Sequence, residues 1–261
     1  MQVSLIIAFY KKTDFLHLIL AALDTQSNKN FEVIIADDDH SETSAFFIKE
    51  QAAYHTYRLL HVNQMLDDGF RKNEVLNKAI VVAKGEIIVF IDGDCIPHIH
   101  FIKEYIGRMQ DKTALFGRRV MLSQYLTMKL IQTHNLKLLS LFNLLITGSN
   151  QLKEALYLPF INKKRNAGIW GCNWGIYKKH LLEVNGFDED YILAGVGEDV
   201  DIEARLKLNG IRLKSVKYKA IVYHLYHKLN YSDNDVQMNF KLLEQKQQEG
   251  LKYCRNGILK D

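Results

Sequence analysis

Proline is nearly missing from the chain, which holds two in 261 residues. That scarcity argues against Pro-rich linkers and against a loosely strung array of modules. No Gly/Ser tract, low-complexity run or internal repeat divides the sequence, so one compact domain with appendages is expected. Also absent is any window of the ~18 uninterrupted apolar residues that a membrane span needs. The opening "MQVSLIIAFY" runs into "KKTD" rather than a small-residue cleavage site, and so reads as a first strand rather than a signal peptide. Cysteine is scarce too. Cys95, Cys172 and Cys254 are odd in number and widely spaced, suggesting neither a disulfide framework nor a zinc site and pointing to the cytoplasm. A strong charge of one sign is also lacking. A net charge of +4 suits an anionic substrate or acidic lipid headgroups but is too weak to imply nucleic acid.

What the chain does have is regular alternation. "VSLIIAFY" is apolar throughout, and "DFLHLILAALDTQS" follows with Phe15, Leu18, Ile19, Ala22 and Leu23 on one helical face. "FEVIIADDD" and "YRLLHVN" read as second and third strands, with a weakly helical stretch between them through Lys49 to Tyr54. "KNEVLNKAIVVAKG" reads as a helix capped by Gly85, and "EIIVFIDGD" as a fourth strand. Strands apolar at every position are buried on both faces. Their alternation with helices predicts an α/β fold: a mostly parallel, doubly wound, Rossmann-like sheet with helices on both faces. Such sheets bind ligands beyond the carboxyl ends of their strands. Asp37, Asp38 and Asp39 fall there after the second strand, and Asp92 and Asp94 after the fourth.

The second half is looser. Residues 121–160 form a helix-rich, apolar, lysine-dotted insertion. "GEDVDIEARLKLNG" reads as a helix entered through acids and stopped at Gly210, "LKSVKYKAIVYHLYH" as a late strand, and residues 231–261 as a C-terminal helical extension to a domain spanning 1–230.

Two carboxylates separated only by Gly93 repel each other unless a cation compensates them, and oxygen-rich sites select Mg²⁺ or Mn²⁺. Taken alone, D-x-D reads equally as a solvated turn. Glu198 and Asp199 precede a helical stretch whose dipole favours their ionised form. A carboxylate there could serve as general base toward a hydroxyl, or simply cap the helix. His224 and His227 end a strand, where a neutral imidazole can complete a metal site or lie on polar surface. Haloacid-dehalogenase phosphatases carry D-x-D on the first strand, where this chain has "AFYKK", and response regulators are about half this length.

The series of strand-end "DDD", "GFR", "IDGDC", a Gly/Trp segment, "GED" and strand-end His resembles the family 2 glycosyltransferases of the GT-A fold. From "GCNWGIYKKHLLEVNGFDEDY" through "GEDVDIEARL", the chain is similar to a galactosyltransferase-type C-terminal region, and the two likenesses together cover about residues 3 to 230. The resemblance implies that Ala8, Tyr10, Asp37, Asp38, Asp68, Arg71 and Asp92 hold the nucleotide-sugar donor. It further implies that Asp94 and His224 hold Mn²⁺ or Mg²⁺, that Asp199 is the base with Glu198 orienting the acceptor, and that Asn173 and Trp174 line the acceptor site. Two departures stand out: Leu76 occupies the place of a diphosphate-binding arginine, for which Arg71 substitutes, and Asp39–His40 replace Gly-Ser in the nucleoside turn.

The activity implied is inverting transfer from a nucleotide-diphosphate sugar, a UDP-linked hexose or N-acetylhexosamine, to a saccharide or lipid-linked acceptor hydroxyl in bacterial surface-glycan assembly. A sugar nucleotidylyltransferase would open with a glycine-rich phosphate loop after the first strand, and "AFYKKTD" has no glycine. A non-catalytic lectin would leave the joint presence of D-x-D, GED and strand-end His unexplained. The 121–160 insertion, with Lys129, Lys137 and Lys153 among apolar residues, reads first as helices packed on their own core. Its second reading is an acceptor lid, or a peripheral contact with the inner face of the plasma membrane.

Overall fold

The unbroken apolar runs form the centre of one sheet. β1 (Val3–Phe9), β2 (Phe31–Asp37), β3 (Arg58–Asn63) and β4 (Ile87–Asp92) are parallel, connected through α1 (Thr13–Asp24), α2 (Glu42–Ala52) and α3 (Lys72–Val82). Next come β5 (Cys95–Pro97), α4 (Phe101–Arg108), β6 (Thr113–Phe116) and β7 (Arg119–Met121). The insertion holds α5 (Gln124–Thr133) and α6 (Leu141–Ile146). β8 (Trp174–Tyr177), α7 (Lys178–Glu183), α8 (Glu198–Leu208), β9 (Arg212–Ser215), β10 (Val222–His224) and α9 (Asp233–Glu249) follow. The computed structural model describes residues 1–64, 69–228 and 232–260.

Among the described residues the main sheet has seven strands in the order β3-β2-β1-β4-β8-β6-β9, with β8 antiparallel to both neighbours. Alternate side chains of the central strands enter separate cores. Leu5, Ile7, Val33, Ile35, Val89 and Ile91 pack into one, while Ile6, Ile34, Ile88 and Phe90 pack into the other. Burial on both faces is what the lack of alternation predicted. The doubly wound, mostly parallel expectation is therefore met.

Two local expectations need correction. α3 stops at Val82, because Ala83 already has an extended backbone (φ −60°, ψ 133°). Gly85 is not the helix cap; a Cβ there would lie 2.4 Å from the Ser4 amide nitrogen, so glycine permits the chain to cross close to β1. The late strand is also two strands. Tyr218, at φ +67°, lies in the turn between β9, which extends the main sheet beside β6, and β10. β10 instead lies between β5 and β7 in a small second sheet. The insertion does contribute to a core, since Leu126, Leu130 and Leu144 are fully buried, yet Phe142, Leu145 and Ile146 on α6 are more than 60% exposed. No helix of the described residues is long and apolar enough to cross a membrane. α9 begins at a capping box formed by Ser232 and Asp235, and behind it Asn185 binds the Cys254 and Leu259 carbonyls, fastening the tail to the body. The three cysteines are free and buried, as small apolar side chains are.

Candidate active site

Strand register brings the acids to one edge. Phe9 pairs with Asp37 and Ala8 with Asp92, so the two acids end their strands within one residue of each other along β1. Gly93 follows. Its amide donates to the Ala8 carbonyl at 2.7 Å, and a Cβ would stand 2.8 Å from that oxygen. Only glycine lets the chain turn this tightly against β1 and still present an aspartate on either side.

The turn after β2 is a dense polar knot. Asp37 contacts His61 Nε2 at 2.8 Å, and both Asp38 carboxylate oxygens accept the Arg71 backbone amide at 3.0–3.1 Å. Asp39, standing where glycine was expected, accepts from the Ser41 and Ser44 hydroxyls at 2.6 and 2.9 Å. Burial opposes its charge, but these hydroxyls and nearby Lys11 hold the Asp39 carboxyl below the usual range. Its role is to brace the entry to α2. Tyr10 is exposed at the mouth beside Ala8, with Lys11 Nζ 4.5 Å from its ring centroid. Asp68 lies outside the described residues.

Asp94 is the meeting point of two histidines. β10 pairs with β5 so that His224 sits beside Cys95, which places His224 Nε2 at 3.2 Å and His227 Nε2 at 2.8 Å from Asp94 Oδ2. Although burial opposes ionisation, the two imidazoles hold the Asp94 carboxyl far below its usual range. The hydrogen bond to Asp94 in turn raises His227. One carboxylate oxygen and two imidazole nitrogens within 4.8 Å of one another form a donor set that suits a divalent ion such as Mn²⁺. Asp92 and Cys95 also neighbour Asp94, but burial pushes the Cys95 thiol well up and keeps it protonated, a poor ligand. His224 and His227 thus belong together; sequence reasoning had singled out only the first.

Lys72 links the strand-end Asp92 to the acids that open α8. Lys72 Nζ is 3.4 Å from Asp92 and 3.5 Å from Glu198. Burial alone would lower this lysine, but Asp92, Glu198 and Asp199 together raise it, so it stays charged. Sequence reasoning missed it. The available signal was a lysine in the first turn of a helix, where the dipole disfavours positive charge. Asp199, in the first turn of α8, accepts the Gly171 amide at 2.7 Å through Oδ2. Its other oxygen, Oδ1, and Glu198 Oε2 are buried and have no hydrogen-bond partner among the described residues. Burial, then the like charge of Glu198, pushes the Asp199 carboxyl up to about 7.

The expected acceptor residues are corrected by burial. Trp174 is 0% exposed and stacks on Phe90 at 4.7 Å, so it offers no face to a sugar. Asn173, also fully buried, donates to the Arg118 and Ala220 carbonyls and accepts from the Tyr105 hydroxyl, clamping the wall of the cleft. The exposed indole is Trp170, with Arg118 4.1 Å from its ring centroid. Arg119, likewise missed, reaches within 3.9 Å of Asp92.

Comparison with known proteins bears on the family and the fold. The family model described as glycosyl transferase family 2 matches residues 4–181, and that described as the N-terminal domain of galactosyltransferase matches 158–228. A Bacillus subtilis (strain 168) protein, "Putative glycosyltransferase EpsH", is 30% identical over 115 residues, 43% of this chain and 32% of its own length. S. aureus TarS 1-349 in complex with UDP superposes with a TM-score of 0.64 at 17% identity, covering 94% of this chain and 65% of that one. GalNAc-T7 with UDP, GalNAc and Mn²⁺ gives 0.67 at 11% identity, covering 94% and 48%. The mannosyltransferase PcManGT from Pyrobaculum calidifontis, in complex with GDP-Man and Mn²⁺, gives 0.60 at 17%, covering 88% and 58%. This chain therefore spans less than two thirds of each relative's length, and the shared feature is the GT-A fold.

Proposed function

Because the chain belongs to glycosyl transferase family 2, we propose that it is an inverting glycosyltransferase moving a hexose or N-acetylhexosamine from a UDP-sugar to a saccharide or lipid-linked hydroxyl. The observation that carries the reading is Asp199: a half-buried residue whose carboxyl is pushed up to about 7, with one buried oxygen that has no hydrogen-bond partner among the described residues, separated by Lys72 from the strand-end aspartate.

A sugar hydroxyl is a poor nucleophile near neutral pH. Asp199 Oδ1 takes its proton as the oxygen attacks the anomeric carbon, and a base near 7 is matched to that task. The bond from that carbon to the diphosphate breaks on the opposite face, so one base suffices and no covalent intermediate forms. Glu198 orients the accepting hydroxyl. Lys72 keeps Asp92 and Glu198 from repelling each other, and Arg71 faces the departing diphosphate charge. Asp37 and Asp38 hold the nucleoside, with Ala8 and Tyr10 beside them. Asp94, His224 and His227 would hold Mn²⁺, favoured over Mg²⁺ by two imidazoles, and the ion would supply positive charge for the diphosphate. The α6 face, with its exposed apolar side chains, is assigned to peripheral contact with the membrane that carries a lipid-linked acceptor.

The test is UDP release from a panel of UDP-sugars with Mn²⁺, comparing the wild-type protein with Asp199→Asn. The variant should lose transfer by at least about a hundredfold while UDP affinity measured by calorimetry is unchanged. Near-normal turnover by Asp199→Asn would remove the base assignment, and no UDP release from any donor would remove the reading itself.

A further inference from the structure

Beside the catalytic carboxylates lies an open cleft of about 800 Å³ whose charge the mechanism above does not use. Arg118, Arg165, Lys217 and Lys153 line it, with Glu154 as the one acid among the described lining residues. Glu154 is already shared, being 2.9 Å from Arg165 and 3.1 Å from Lys217. Arg118 is 6% exposed and donates to the neutral carbonyls of Gly117 and Gly168. Among the described residues no carboxylate lies within ion-pair distance of it. Burial, and then the like charge of Arg165, pushes its guanidinium below the ordinary range. Removing a cation from water without pairing it costs stability, and an arriving anion recovers that cost.

The cleft is continuous with the site along the chain. Arg118 precedes Arg119, which approaches Asp92, and Trp170 precedes Gly171, whose amide holds Asp199. Trp170 also lines the cleft and is 42% exposed, an aromatic surface of the kind that packs on sugar C–H groups.

Resting on the glycosyltransferase reading, we infer that this cleft is the acceptor subsite and that the acceptor is an anionic saccharide. A negative group near the accepting hydroxyl pairs with Arg118, Arg165 and Lys217 while a sugar ring lies against Trp170. A hexuronate carboxylate and a glycosyl phosphate share the required chemistry.

The experiment titrates three probes into the full chain with UDP and Mn²⁺ present: a glucuronate-terminated disaccharide, a disaccharide 1-phosphate and the neutral disaccharide. Quenching of Trp170 fluorescence is followed, with Trp170→Phe as the control for the signal. At least one anionic probe should bind at least about tenfold more tightly than the neutral one, the stronger of the two identifying the source of the charge. Arg165→Gln should weaken that binding about tenfold and Glu154→Gln should strengthen it, opposite signs that a merely structural role would not produce. Equal binding of neutral and anionic probes, no binding of either anion, or indifference to Arg165→Gln would overturn the inference. Calorimetry with UDP on the same sample separates the two readings. A protein that binds UDP but no anionic saccharide keeps its assignment as a glycosyltransferase and loses only this subsite.

Discussion

Asp199 sets the pH response at the scale of single residues. Its carboxyl is pushed up to about 7 by burial and Glu198, so below neutrality the proposed base is protonated and idle. Transfer should therefore rise through about pH 7, read as the acid limb of the pH profile of kcat/KM, which reports the free enzyme. Stability moves the opposite way. A carboxyl raised on folding contributes stability that is full below its ordinary value and is lost as pH climbs through 7. Asp199→Asn should consequently be more stable than the wild-type protein at pH 8, by on the order of 3 kcal/mol, with the gap closing toward pH 4. Denaturant melts at the two pH values check this, and equal stability at pH 8 would contradict the environment described for the carboxyl. The two tryptophans make a second contrast. Trp174→Ala empties a buried stack and should cost about 3–5 kcal/mol, whereas Trp170→Ala should leave stability within about 1 kcal/mol and weaken acceptor use. Composition could not rank these two indoles, because burial depends on where each falls: Trp174 opens β8, whereas Trp170 lies in the loop before it.

Among the elements, those built on local pattern were readable and those built on distant partners were not. The apolar runs of β1, β2 and β4 announced buried parallel strands, and with them the edge where Asp37, Asp92 and Asp94 lie. The split between β9 and β10 was invisible, since each finds its partners about a hundred residues upstream, in β6 and in β5 and β7. That same pairing delivers the two imidazoles to Asp94, so the proposed metal site was legible only as a list of candidates. Lys72 was hidden for a related reason: its partners Asp92 and Glu198 come from separate halves of the chain. α6 carries its own prediction. Phe142 and Ile146 are exposed, and the one acid in the 121–160 segment, Glu154, is buried and paired. Vesicles rich in anionic lipid should bind the protein, and Phe142→Ser with Ile146→Ser should abolish flotation without lowering UDP affinity. Flotation unchanged by the pair would remove the membrane contact.

The whole molecule should respond to a UDP-sugar donor as one cooperative unit, because side chains from α3, β7 and α8 converge near Asp92 and β10 reaches Asp94. UDP with Mn²⁺ at about a hundred times the dissociation constant should add ~2.7 kcal/mol and raise Tm by roughly 5–10 °C. Chelation, or Asp94→Ala, should erase the increment that depends on the ion. A shift from UDP that persists in full under chelation would mean that Asp94, His224 and His227 hold no ion for the nucleotide.

The antiparallel strand β8 has a consequence for synthesis. It fills the edge of β4, yet roughly eighty residues must be made after Asp92 before Trp174 emerges, about 4–16 s at ordinary elongation rates. Through that interval the nascent sheet presents β4, one of its most apolar strands, with a row of bare amides and carbonyls. Any chaperone demand of this protein should therefore fall in that window. Ribosome-bound chains halted near residue 150 should be the most prone to self-association, and chains long enough for β8 to have cleared the ribosome should lose that tendency.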